Sequence, residues 1–203
     1  MWRGILVLIL LNCFFGCTLS AHDSLLWHGI QRKMRYAPNG QGFYIRNGTH
    51  RFNRALYGGN TAFRVEAGDL PQFALYLPGM GGSMQLGIVG ATGQKWLIDA
   101  QTIDAWYESG QMHYAISDVL LQGGSIHLYV LAMPASEGVL LKIETRNLPS
   151  SLSLVWAFGG ATGKRFNRDG DIGADPESVF YLSPENCRDN RYYIHENIFA
   201  LRF

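Results

Sequence analysis

Between residues 111 and 146 two stretches, 112–117 and the second half of 139–146, alternate apolar and polar residues. Met112, Tyr114 and Ile116 alternate with His113, Ala115 and Ser117. Residues 125–133 (SIHLYVLAM) are dense in β-branched, aromatic and other apolar types, and 139–146 alternate through their second half. A period of two puts apolar side chains on one face of an extended strand; a helix needs a spacing of three to four. Further strands are predicted at 42–46, 61–66, 73–77, 84–89, 95–99, 103–108, 152–158, 179–182, 191–195 and 198–203. Turn formers separate them, among them Pro78-Gly79, Gly81-Gly82, Gly123-Gly124 and Asn147-Leu148-Pro149, and the 24 glycines suit a turn-rich chain. No helix of about ten residues is signalled beyond the N-terminal segment. The expectation is an all-β protein, an antiparallel sandwich or barrel.

The start of the chain reads differently. Met1-Trp2-Arg3 supplies a positive charge, 5–15 are apolar except for Asn12, and Gly16, Cys17, Thr18, Ser20 and Ala21 follow. That order is a secretory signal, and the apolar run is shorter than the about 20 residues that span a bilayer. Residues 1–21 are therefore read as a signal peptide and 22–203 as the sandwich domain, with no membrane span after processing. Cleavage at Cys17, as in a lipoprotein, is the weaker alternative, because the bulky Phe14 precedes it by three. The expected location is the periplasm or cell envelope. Processing leaves one cysteine, Cys187, which is read as a small apolar filler in preference to a nucleophile. Export without a disulfide fits a bacterial envelope. A net charge of +1 with 16% charged residues gives no basic excess, so nucleic acid is not an expected partner.

Gly160-Ala161-Thr162-Gly163 repeats Gly90-Ala91-Thr92-Gly93. Each copy follows a strand-like run and precedes a cation and an aromatic, so both are read as hairpin turns; a duplicated half-domain stays open. A phosphate loop is excluded, since Phe158 stands where its first glycine belongs and Arg165 where its Ser or Thr belongs. Beyond it, Asn167, Asp169, Asp171, Asp175 and Glu177 set oxygen ligands at alternate positions, as calcium requires. Gly170 falls between Asp169 and Asp171, which is out of register for a helix–loop–helix calcium site. Three readings stand: a solvated turn, a calcium loop, or a polar ligand loop in which Arg165, Arg168, Asp169 and Asp171 serve sugar hydroxyls.

Other chemistry is sparse. The histidines have no zinc spacing and there is no Gly-x-Ser-x-Gly. A carboxylate pair for glycoside hydrolysis would have to combine Asp169 or Asp171 with Glu177 or Glu66. Trp27, Trp96, Trp106 and Trp156 are candidates for stacking on sugars. Trp156, inside LSLVWAF, is expected to be buried; Trp106 and Tyr107 are the favoured exposed pair. Asn47-Gly48-Thr49 reads equally as a glycosylation sequon and as an Asn-Gly hairpin turn.

Several longer stretches carry a resemblance. They are Asn47-Gly48 through Arg51-Phe52-Asn53-Arg54-Ala55-Leu56-Tyr57-Gly58, NTAFRVEAGDLPQFALYLPGMGG (60–82), WAFGGATGKRFNRDGDIGADPESVFYL (156–182) and Pro184-Glu185-Asn186-Cys187. Together they resemble the Bacteroidetes domain-of-unknown-function family numbered 4450. The resemblance implies a large exported protein of polysaccharide-degrading bacteria, similar to glycoside hydrolases, with an N-terminal antiparallel β-sandwich of the supersandwich kind and a downstream helical toroid. This chain resembles the sandwich part, and 198–203 is strand-like to its last residue, so it is expected to be the N-terminal piece of a longer protein. The implied partners are carbohydrate and the toroid; no cofactor is implied. The leading expectation is a non-catalytic module beside a sugar cleft. The alternatives are a free-standing carbohydrate-binding module, with coplanar aromatics on one face, and a self-contained hydrolase.

Overall fold

The computed structural model describes residues 36–49, 53–77, 80–160 and 182–203. In chain order the strands are β1 (Ala37–Asn39), β2 (Gly42–Arg46), β3 (Asn53–Leu56), β4 (Arg64–Gly68), β5 (Gln72–Leu77), β6 (Met80–Gly90) and β7 (Gly93–Trp96). They continue with β8 (Thr102–Glu108), β9 (Gln111–Ser117), β10 (Ser125–Ala132), β11 (Val139–Arg146), β12 (Ser153–Gly159), β13 (Arg191–His195) and β14 (Ile198–Arg202). One antiparallel sheet has the order β1-β2-β8-β9-β10-β11, and a second has β12-β6-β5-β4-β3 with β7 added beside β6. β13 and β14 form a separate hairpin. The protein is all-β, and its two main sheets face each other as a sandwich.

Parity builds the core. In β9 and β10, Met112, Tyr114, Ile116, Ile126, Leu128 and Val130 point inward and are fully buried. The opposite sheet meets them with Leu56, Val65, Ala67, Phe73, Leu86 and Ile88. Phe73 and Tyr114 touch across the gap, ring centres 5.9 Å apart, and the Tyr114 hydroxyl donates to the carbonyl of Gly68 at 2.8 Å. The tight β8–β9 turn uses Ser109 and Gly110 at φ 46° and 82°, the left-handed pair that such a two-residue hairpin requires.

The first GATG copy is the expected hairpin: Gly90 pairs with Gly93 and joins β6 to β7. Of the second copy only Gly160 is described; it is left-handed, with φ 69°. Residues 179–181 of the strand predicted at 179–182, the signal at 1–21 with Cys17, and Trp27 lie outside the described residues; Leu182 is described and is not in a strand. Among the described residues no helix is long and apolar enough to cross a membrane.

Four expectations need correction. The strand predicted at 61–66 begins only at Arg64 and runs to Gly68. Thr61 Oγ1 accepts the N–H of Phe63 at 3.2 Å, a local bond that holds a bend instead of a ladder. The strand predicted at 95–99 ends at Trp96 and becomes a 3₁₀ turn, Leu97–Asp99, because the fully buried Leu97 is drawn into the core. Trp156 is 50% exposed. It lies on β12, the edge of its sheet, where its indole meets Phe199 edge-on at 5.0 Å. Asn47 is not in a hairpin turn: it ends β2 where the chain crosses to the other sheet. Its N–H donates to the Ile103 carbonyl and its side-chain oxygen accepts the Ile103 N–H, both at 2.8 Å.

A second corner depends on Asp118. Its buried carboxylate accepts the N–H groups of Leu120 and Gln101 at 3.0 Å each and Lys95 Nζ at 2.7 Å. Burial alone would raise its pKa, but Lys95 and the two N–H groups outweigh burial and hold it below the ordinary 3.8. A depressed pKa gives stability that is complete above the unfolded value and is lost as the pH falls through the folded one. Asp118→Asn should cost about 2 kcal/mol at pH 7, since it leaves Lys95 without its charge partner. Urea unfolding across pH 7 to 3 should show the wild-type advantage over the variant shrinking below 3.8.

Candidate functional site

The outer face of the β1–β11 sheet carries the side chains that alternate with the core. Strand register sets five of them in one row: Tyr44 opposite Trp106, Trp106 opposite His113, His113 opposite Tyr129, and Tyr129 opposite Lys142. The rings touch along the row. Tyr44 and Trp106 lie 5.2 Å apart and tilted by 38°. Trp106 stacks on His113 at 4.9 Å and 20°, and His113 stacks on Tyr129 at 4.4 Å and 5°. Lys142 Nζ caps the far end, 5.3 Å from the Tyr129 ring.

Ion pairs and hydrogen bonds fill the next row. Arg46 holds Asp104 through Nε at 2.6 Å and a second nitrogen at 3.0 Å, and the Tyr44 hydroxyl donates to the same carboxylate at 2.6 Å. The Arg46 hydrogen bond is the main reason that the Asp104 pKa is lowered. Lys142 pairs with Glu144 at 2.6 Å. His113 Nε2 and His127 Nδ1 are 3.3 Å apart, and Ser125 Oγ lies 3.3 Å from His127 Nε2. Burial lowers the pKa of both histidines; for His113 the nearby His127 adds to it, against a smaller pull upward from Glu108 and Glu144. For His127, Arg146 adds to it and Glu144 opposes.

Beside the Trp106–His113–Tyr129 stack is a pocket of about 200 Å³, lined also by Asn39, Glu108 and Gln111. Its polar groups include donors, acceptors and one carboxylate. A pocket this small takes one sugar-sized ring, below the about 300–1,000 Å³ usual for drug-sized ligands.

Trp106 is thus at the site, but Tyr107 is not. Successive strand residues face opposite ways, and Tyr107 packs against the core with Ile103 and Ala105. The rings are also not coplanar: they stand side by side and stack, so their edges face outward. Arg165, Arg168, Asp169 and Asp171 lie outside the described residues, as do the calcium candidates Asn167, Asp175 and Glu177. Among the described residues no group of three or more His, Cys, Asp or Glu is placed to hold a metal ion. Glu66 is buried on the other sheet and pairs with Arg64 at 2.7 Å, whose guanidinium lies 3.9 Å from the Tyr76 ring centre. Cys187 is a free, half-buried thiol whose sulfur accepts the Gly160 N–H at 3.2 Å. Sequence reasoning passed over Tyr44, His113, His127 and Tyr129. Their parity was visible, but their contact depends on register across four strands.

Neutral imidazoles favoured by the fold tie stability to pH. A lowered folded pKa means that stability is complete above the ordinary histidine value of 6.5 and declines as the pH falls below it. Urea midpoints should fall between pH 7 and 5, before the carboxylates titrate, and His113→Gln should make that decline shallower.

A family model for a Domain of unknown function (DUF4450) matches residues 77–203, more than half of the chain. The motifs at 47–58 precede that span. No curated protein matches, and no solved structure does.

Proposed function

The chain belongs to the DUF4450 family, and on that premise we propose that it is a non-catalytic β-sandwich module that binds saccharide for an exported, glycoside-hydrolase-like protein. The observation that carries this reading is the small pocket at the ring row, where Asn39, Glu108 and Gln111 meet Trp106, His113 and Tyr129. Sugar hydroxyls both donate and accept, so their recognition needs both kinds of partner in fixed positions. Amides, a carboxylate, an imidazole, an indole N–H and a phenol supply them. The stacked rings and the ion pairs on either side hold these groups without a ligand, which lowers the entropy lost on binding. In this reading export rests on the residue order of 1–21, and the module works beside a helical-toroid domain that carries the chemistry. A hydrolase built on Glu66 is disfavoured by its ion pair with Arg64.

Calorimetry of the full chain with a panel of neutral plant and host oligosaccharides tests the reading. Binding is expected, with Trp106→Ala and Glu108→Gln each weakening it about tenfold, or 1.4 kcal/mol. Absence of heat across the panel would end the proposal.

A further inference from the structure

We propose a second saccharide contact on the opposite sheet, at Trp96, which takes a neutral pyranose with its hydroxyls equatorial. It rests on the same saccharide-binding reading but uses different residues and a different force. Register sets Trp96 opposite Gly87, and Gly87 opposite Val155. Gly87 alternates with the buried Leu86 and Ile88, so this row is on the outer face. A Cβ built on Gly87 would meet the six-membered ring of Trp96 at 3.0 and 3.3 Å. The indole therefore sits close over this glycine, and a side chain there would have to push the ring aside. It remains 39% exposed. The cleft beside it measures about 570 Å³ and is lined by Val89 and Val155 with Gln94, Lys95 and Asp99.

The platform is held from both sides. Lys95, just before Trp96, is fixed to the buried Asp118 at 2.7 Å. Leu97, just after it, is fully buried. An indole anchored at both neighbours loses little freedom when a ring settles on it. An equatorially substituted pyranose has flat C–H faces that suit an aromatic surface and hydroxyls around its rim for Gln94 and Asp99. Charge selects against acidic sugars: the Lys95 ammonium is already committed to Asp118, and Asp99 would repel a carboxylate.

The test is calorimetry of the full chain with cellohexaose, xylohexaose and oligogalacturonate. The two neutral hexamers should bind and the anionic one should not. Trp96→Ala should weaken binding about tenfold, while Trp96→Phe, which keeps a ring, should recover most of it. Thermal unfolding should show both variants folded at the temperature of the binding assay. Wild-type affinity in Trp96→Ala overturns this contact, and if Trp106→Ala still weakens binding the pocket on the other sheet stands. Loss in Trp96→Ala with no change in Trp106→Ala keeps this contact and removes that pocket. Equal binding of oligogalacturonate overturns the neutral ligand class, and no binding by the wild type removes both sites.

Discussion

The pairing of β9 with β10 is the constraint from which the other features follow. Val130 opposes Met112, Leu128 opposes Tyr114 and Ile126 opposes Ile116, and all six are fully buried. Burying a large apolar side chain contributes about 1.5–3 kcal/mol, so six contribute about 9–18 kcal/mol. That rivals the whole net stability of a domain, about 5–15 kcal/mol. A slip of one residue would turn all of one strand's apolar set to water. The register is therefore fixed by the core, and the outer row comes with it. His113 meets Tyr129 because Met112 meets Val130. The ring stack is a corollary of the packing beneath it.

Where strands give way to crossings between the sheets, carboxylates take over from apolar burial. Asp69 is almost fully buried; it accepts the Tyr36 hydroxyl and, at 3.0 Å, the Thr49 N–H. Asp118 does the same at the corner between β9 and β10, with two N–H groups and Lys95. Loops of this kind leave backbone donors that no ladder satisfies, and a buried donor without a partner costs about 1–3 kcal/mol. Asp69 serves the β2–β3 crossing through Thr49, and Asp118 serves the β7–β8 crossing through Gln101. Asn47 repairs a ladder end in the same way, its side-chain oxygen standing in for a backbone carbonyl opposite Ile103.

Strand identity was legible because it depends on local alternation, which β9, β10 and β11 state openly. Contacts were not, because they depend on which strand lies next to which. Trp156 shows the limit. An unbroken apolar run reads as buried on both faces, yet β12 is an edge strand, and position in the sheet leaves no mark on its own sequence. Tyr107 shows a different limit. Ile103, Ala105 and Tyr107 form the inward series of β8, but the outward series, Asp104, Trp106 and Glu108, contains an equally large ring. Parity separates the two tyrosine and tryptophan neighbours; size and aromaticity do not. Asp118 gave at most a local sign: Leu120, two residues on, is an N-cap contact, but Lys95 and Gln101 are brought to it only by the fold.

The two outer faces treat an aromatic ring in opposite ways, and the cause is the residue across the strand. Trp106 has His113 as its neighbour, so the indole stands up and spends a face on that ring. What it offers to solvent is an edge, suited to hydrogen bonds. Trp96 has Gly87 as its neighbour, and its six-membered ring comes within 3.0 Å of where a Cβ on that residue would sit. It keeps 39% of its surface open beside the cleft. In the proposed reading the first indole serves hydroxyls and the second stacks on a ring, and a sugar, which has polar edges and apolar faces, presents the complement of both.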